Sequence, residues 1–317
     1  MAIINTGLLT KGIRSEFFER FTGTPSFFGD LTTRIQSNAD QETYKHIGQL
    51  PTMREWGTGR KAQGLFDESY TVANLKYEST IEVDRDEIAD DQTGQIRVRI
   101  GEMAQRAATH KDYLISQLCI SGGDTGYLAS DGQIFFSGSH VWGDSGTQDN
   151  DITFDIGTYA SSYNEPDDVD NVGPRSMAAG FSSAWSTMAL FKDDRGEPMN
   201  FGMSGLVILC HPQQMINWMI ATSAPSLSTQ APNAVGQLGV RVIPIPWFTD
   251  VSMWYLLKTD GVLRPFIFQD REPLEFAAQA EGSSEEFHRE KYYYGVRARY
   301  RLTFGRWQHA VRCNFTT

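Results

Sequence analysis

The run TGQIRVRIGEMAQRAATHKDYLISQLCISGG, Thr93 to Gly123, constrains this chain more than any other stretch. Ile96, Ile100, Met103, Ala107, Leu114 and Leu118 recur at helical spacing, and the paired Gly122 and Gly123 stop the run. About 27 residues at about 1.5 Å each make a rod near 40 Å long, against about 11 or 12 residues for an ordinary globular helix. A rod of that length crosses a whole domain, so the fold must be organised along it. Arg99, Arg106 and His110 flank its apolar stripe on one side, and Arg97 and Lys111 on the other.

Upstream the period changes. Leu75, Tyr77, Ile81 and Val83 alternate with Asn74, Lys76, Glu78, Thr80, Glu82 and Asp84, which is the pattern of a strand with one solvated face. Gly57, Gly59 and Gly64 precede it and mark a turning tip, so residues 49–84 read as a long hairpin. The acids Asp84, Asp86, Glu87, Asp90 and Asp91 lack the spacing of a calcium loop. They are expected to cap the N-terminus of the long helix, where negative charge suits the dipole. In residues 1–48 the apolar positions Leu8, Ile13, Phe17, Phe18 and Phe21 support one short helix, Ile13 to Phe21. The rest reads as an extended arm that must pack on something to be ordered.

Downstream, residues 124–173 are loop-rich. A helix with Met177, Phe181, Ala184, Trp185 and Met188 inside follows Pro174. GLVILC reads as a buried strand, HPQQMINWMIATS as a short helix with Pro212 at its permissive first position, and GVRVIPIPWF and MWYLLKTDG as further strands. In KYYYGVRARYRLTFGRW, Tyr292, Tyr294, Val296, Ala298, Tyr300, Leu302 and Phe304 share one face, and Tyr293, Arg297, Arg299, Arg301 and Thr303 the other. The fold class is α+β. Three arginines on one strand face repel unless carboxylates or phosphates meet them. A solvated face, a charged seam with a neighbouring copy and a nucleic-acid contact all fit that ladder.

Catalytic chemistry finds little support. SDGQIFFSGSHVWGDSG gathers Asp131, Ser137, Ser139, His140 and Asp144, but no GxSxG occurs and the six histidines are scattered singly. A turn held by side-chain to backbone hydrogen bonds is the expected role. GTGRKAQG lacks the strand-to-helix context and the lysine spacing of a phosphate loop, and EPDDVD reads as a solvated acidic loop. Cys119, Cys210 and Cys313 form no CxxC pair and are expected as buried reduced thiols. A formal charge of −11 and a pI near 5.0 do not fit a dedicated nucleic-acid binder. With no secretory cleavage pattern and no membrane-length apolar run, the expectation is a soluble protein made in a cytoplasm, with no enzymatic activity, cofactor or metal.

The order of elements, together with MREWGTGR, VANLKYESTIEVDRDEIADDQTG, MAQRAATHKDYLISQL, SDGQIFFSGSH and YYYGVRARYRLTFGRWQHAV, resembles the major head subunit family of Mu-like phages and prophages. The resemblance implies a Hong Kong 97-type capsid fold. It partitions the chain into an N-terminal arm over 1–48, an E-loop over 49–84, and a peripheral domain with its spine helix and glycine-rich loops over 85–173. An axial domain over 174–261 and C-terminal strands returning to the peripheral domain over 262–317 complete it.

The resemblance further implies self-assembly into pentamers and hexamers of an icosahedral shell around double-stranded DNA, in a virion assembled in the bacterial host cytoplasm. Subunit interfaces are expected at Arg54, Trp56, Arg60, Lys61, Lys76 and Glu78 and at Arg297, Arg299 and Arg301. Arg14, Arg20, Arg99 and Arg106 are expected to face the lumen and touch DNA weakly and non-specifically. Because the chain starts directly with an arm-like sequence, a separate scaffold protein and a portal are expected partners; a decoration protein is compatible with that set. No membrane partner and no Lys–Asn crosslink through Lys61 or Lys76 are expected. A tail or baseplate protein and, further off, a hydrolase built on Ser137, Ser139 and His140 are the competing readings.

Overall fold

Two fourteen-residue strands and one long helix, packed together, set the frame of the molecule. The computed structural model describes residues 6–47, 67–90, 94–163, 165–199, 202–227, 232–280 and 282–317. In chain order these form α1 (Thr6–Gly23), α2 (Phe28–Leu31), β1 (Thr32–Gln36), β2 (Gln41–Ile47), β3 (Asp67–Ala73), β4 (Leu75–Asp84), α3 (Arg85–Asp90) and the rod α4 (Gln95–Ser121). Then come β5 (His140–Val141), β6 (Thr147–Gln148), β7 (Asp151–Asp155), α5 (Gly157–Tyr163), α6 (Pro174–Ala189), β8 (Leu206–Cys210) and α7 (Met215–Ser223). The chain closes with β9 (Arg241–Pro244), β10 (Met253–Lys258), β11 (Phe266–Gln279), α8 (Ser284–Arg289), β12 (Lys291–Phe304) and β13 (Ala310–Thr316).

A four-stranded sheet runs β1-β11-β12-β4, with β1 parallel to β11 and the other pairs antiparallel. A five-stranded sheet runs β7-β13-β10-β8-β9; its centre is antiparallel, and its edges β7 and β9 pair parallel to β13 and β8. β2 and β3 form a two-stranded antiparallel ladder, and β5 pairs with β6.

Two cores result. The larger lies around the five-stranded sheet, α6 and α7, and takes in Ile115, Leu118 and Cys119 from the end of α4. The smaller joins Ile13 and Phe17 of α1 to Ile100, Met103 and Ala104 of α4 and to Tyr292, Tyr294 and Val296 of β12. The alternation read in β12 holds up to Leu302: all seven members of its apolar face are buried, and of the other face Thr303, near the strand's end, is buried as well.

The helix expected over Thr93–Ser121 is α4, and its end is fixed by close packing. A methyl group on Gly122 would lie 2.8 Å from the Phe136 ring, and one on Gly123 would lie 2.2 Å from the Arg312 guanidinium. The N-cap of α4 is Gly94, in the left-handed region. Of the acids expected to cap this helix, Asp84 accepts from the Asp86 amide at 2.9 Å, and Asp86 and Glu87 sit in the first turn of α3 instead; Asp91 and the side chain of Asp90 lie outside the described residues.

Two further boundaries differ. The stretch expected to be mostly extended holds an eighteen-residue helix, α1, because Ile13 and Phe17 find a partner surface on α4. The hairpin ladder begins at Gln41, inside the span assigned to the arm, where β2 pairs with β3, while β4 joins β12 in the larger sheet. The acidic loop also does more than face solvent: Glu165 accepts from the Arg175 and Ser176 amides at 3.1 and 3.0 Å and so caps α6.

Candidate assembly surfaces

The loop carrying Asp131, Ser137, Ser139 and His140 is a clasp. The His140 ring is fully buried; its Nδ1 meets Asp131 Oδ2 at 2.6 Å and its Nε2 lies 3.2 Å from the Phe135 carbonyl. Ser137 and Ser139 face each other at 3.1 Å, and both His140 nitrogens are engaged elsewhere. Asn150 seals the loop: its amide donates to the carbonyls of Phe135 at 2.9 Å and Ala310 at 3.2 Å, and its oxygen accepts from the Ser137 amide at 2.8 Å. These are the bonds of a structural turn, with no nucleophile aligned to a base.

The arginine ladder stands on the outer face of β12, and its register sets its partners. Arg297 lies opposite Glu78 on β4 and Glu275 on β11, Arg299 opposite Lys76 and Glu272, and Arg301 opposite Gln269. Glu272 bridges two rungs, accepting from Arg297 at 2.7 Å and from Arg299 at 3.0 Å, and Arg299 also reaches Asp40 at 2.8 Å. The carboxylates meeting Arg297 and Arg299 thus belong to their own chain. Lys76 and Glu78 are exposed beside them. Arg54, Trp56, Arg60 and Lys61 lie outside the described residues.

Arg14 and Arg20 are exposed on α1, and Arg99 and Arg106 on α4. Arg14 stands over the Phe18 ring at 5.8 Å, and Arg20 crosses α4 at Gly101. Arg99 and Arg106 line a groove of about 560 Å³ between α4 and the four-stranded sheet, together with Glu78, Glu102 and Arg297, over a floor that includes Met103 and Val296. The structure therefore brings members of two sets, assigned from sequence to different surfaces, onto one groove.

The sequence reading missed the work done by His110, Lys111 and Asp112. Lys111 sits against three rings, 4.6 Å from Phe28, 4.5 Å from Phe268 and 5.4 Å from Tyr300, and burial lowers its pKa. His110 Nδ1 lies 2.6 Å from the Tyr300 hydroxyl. Asp112 accepts from Ser26 Oγ and from the Phe27 and Phe28 amides at 2.8, 3.1 and 2.9 Å, tying α2 to the rod; burial raises its pKa against those bonds. Three consecutive polar residues interrupting a helix's apolar stripe were the available signal.

Among the described residues, no group of three or more His, Cys, Asp and Glu side chains could hold a metal ion, and no helix is long and apolar enough to cross a membrane. All three cysteines are buried, and burial pushes the thiols of Cys210 and Cys313 up to about 12, far from the thiolate form.

Comparison with known proteins gives this architecture its context. The family model for the Mu-like prophage major head subunit gpT matches residues 7–161 and 249–316. The Mu-like prophage FluMu major head subunit of Haemophilus influenzae is 22% identical over 311 residues, 97% of this chain and 73% of that protein. The major capsid protein of Escherichia phage Mu is 31% identical over 127 residues, 40% of this chain and 41% of that protein. Among solved structures, the procapsid of bacteriophage JBD30 aligns with a TM-score of 0.57 and 22% identity, covering 100% of this chain and 77% of its counterpart. The mature capsid of bacteriophage PhiM1 aligns with a TM-score of 0.56 at 9% identity, covering 92% of this chain and 88% of its counterpart. The fold is that of phage capsid subunits of the Hong Kong 97 type.

Proposed function

This chain belongs to the Mu-like prophage major head subunit gpT family and is a major capsid protein that builds the head shell; from that premise we propose that it does so as rings of five and six copies closing around double-stranded DNA. The supporting observation is the β2–β3 ladder. Among the described residues it forms a sheet of two strands, and a two-stranded ribbon is marginal in water by itself. Laid across a neighbouring copy it gains a third surface, and many such modest contacts add up over a closed shell.

In this reading the β2–β3 ladder reaches between copies, the peripheral and axial parts tile the shell, and Lys76, Glu78 and the β12 arginines contribute to seams. The exposed arginines of α1 and α4 are the candidates for weak, non-specific contact with packaged DNA, as an acidic chain permits. A scaffold protein and a portal act during assembly in the host cytoplasm, a decoration protein is compatible with this set, and the chain performs no chemistry of its own. Electron microscopy of the purified protein, alone and co-expressed with its scaffold, tests this. Five- and six-membered rings, tubes or closed shells are expected; a small monodisperse particle under both conditions would overturn it.

A further inference from the structure

The helix α7 is apolar on both sides. Its inner face buries Trp218 and Ala221 completely in the larger core. Its outer face exposes Ile216 at 68%, Met219 at 47% and Ile220 at 41%, at the i, i+3, i+4 spacing of a single stripe. A helix that is hydrophobic all round is normally covered on all sides. A second, independent observation concerns charge. Asp, Glu, Lys and Arg make up 21% of the chain, yet not one occurs between Glu197 and Arg241. That stretch includes β8, α7 and the crossover from α7 to β9, and α7 lies in the part of the chain that the family model does not match.

We propose that the outer face of α7 is a contact between copies of this chain within the shell, with Ile216, Met219 and Ile220 as its anchors. The inference rests on the shell-building reading above. Its chemistry selects the partner. A phosphate backbone requires cations, and this stretch has none to offer. A scaffold that must later leave suits a polar, modest surface, whereas permanent interfaces between copies are apolar and depleted in charge. An apolar stripe bared by a departing scaffold would leave the finished head with an aggregation-prone patch. In a ring the contact is heterologous, so the stripe meets a different patch on the next copy.

Because all three native cysteines are buried, Ile216→Cys introduces one accessible thiol for a maleimide probe. Labelling is compared in free subunits, in scaffold-containing procapsids and in closed shells without scaffold, with particle formation followed by electron microscopy. The expected result is labelling at least about tenfold slower in closed shells than in free subunits. Equal labelling in both, or protection only while scaffold is present, would overturn the proposal although shells form. Failure of the wild-type chain to form any particle would instead overturn the shell-building reading. Oxidation of Met219 by peroxide in the wild-type chain, read by mass spectrometry, needs no substitution and must give the same protection in shells.

Discussion

The His140 imidazole lies flat on the Trp307 indole, ring centroids 4.1 Å apart and planes 5° from parallel. That stack clasps the loop over 130–146 to the turn preceding β13, and the side chain of Asp131, 1% exposed, has His140 as its ionic partner. His140→Ala strands a buried carboxylate and should cost about 3 kcal/mol, read as a lower urea midpoint of the isolated subunit. Adding Asp131→Asn should return part of the loss, since no charge is then left uncompensated. An unchanged midpoint in the single variant would remove the clasp from the list of stabilising features.

Acid should weaken the fold through His309. Burial, then the nearby Arg306 charge, holds this imidazole down to about 4. In the unfolded chain it takes a proton near pH 6.5. Between these values the unfolded chain binds a proton that the folded chain refuses. The stability contributed by the neutral ring is therefore complete above about pH 6.5 and drains away as pH falls toward about 4, by up to about 3 kcal/mol. Urea midpoints at about pH 7 and about pH 4.5 should converge in His309→Gln relative to the wild type.

The bridge made by Glu272 predicts a small coupling inside one subunit. A double-mutant cycle of Arg299→Ala and Glu272→Ala should give about 0.5–1 kcal/mol, since the pair is partly exposed. Arg299→Glu separates the remaining readings of the ladder. If rings and shells still form from a folded Arg299→Glu subunit, Arg299 contributes nothing to a seam.

Gly123→Ala should destabilise by about 1–3 kcal/mol, because the added methyl drives the Arg312 guanidinium from its place. Arg312 currently grips Asp151 through two bonds, at 2.7 and 2.6 Å. The thermal midpoint should drop in the single variant and fall no further when Arg312→Ala is added. Additive losses would mean that the helix end tolerates the methyl by another route.

If the exposed arginines of α1 and α4 touch packaged DNA as proposed, replacing Arg14, Arg20, Arg99 and Arg106 by Gln should leave the assembly of empty shells intact while filled heads rupture at lower temperature. Equal rupture temperatures would withdraw these residues from DNA contact.

Legibility in the sequence followed from how locally each signal is encoded. The rod α4 and the alternation of β12 depend on spacing within one element, and both stand as read. Strands β1 and β7 do not announce themselves, because they are short edges whose pairing is decided by distant partners, β11 and β13. Helix α1 ran longer than its periodicity suggested, since its stability comes from α4, some eighty residues away in the chain. The partners of the arginines were hidden for the same reason: Glu272 and Asp40 reach the ladder through strand register and a turn, which no spacing rule within β12 reveals. Apolar and glycine signals survive in one dimension, and carboxylate partners are fixed only in three.

Helix α4 contributes Ile100, Met103 and Ala104 to one core and Ile115, Leu118 and Cys119 to the other. Close-packed interiors transmit strain, so a displacement at the α1 end of α4 bears on the five-stranded sheet at its other end. The subunit is in effect a beam clamped at both ends.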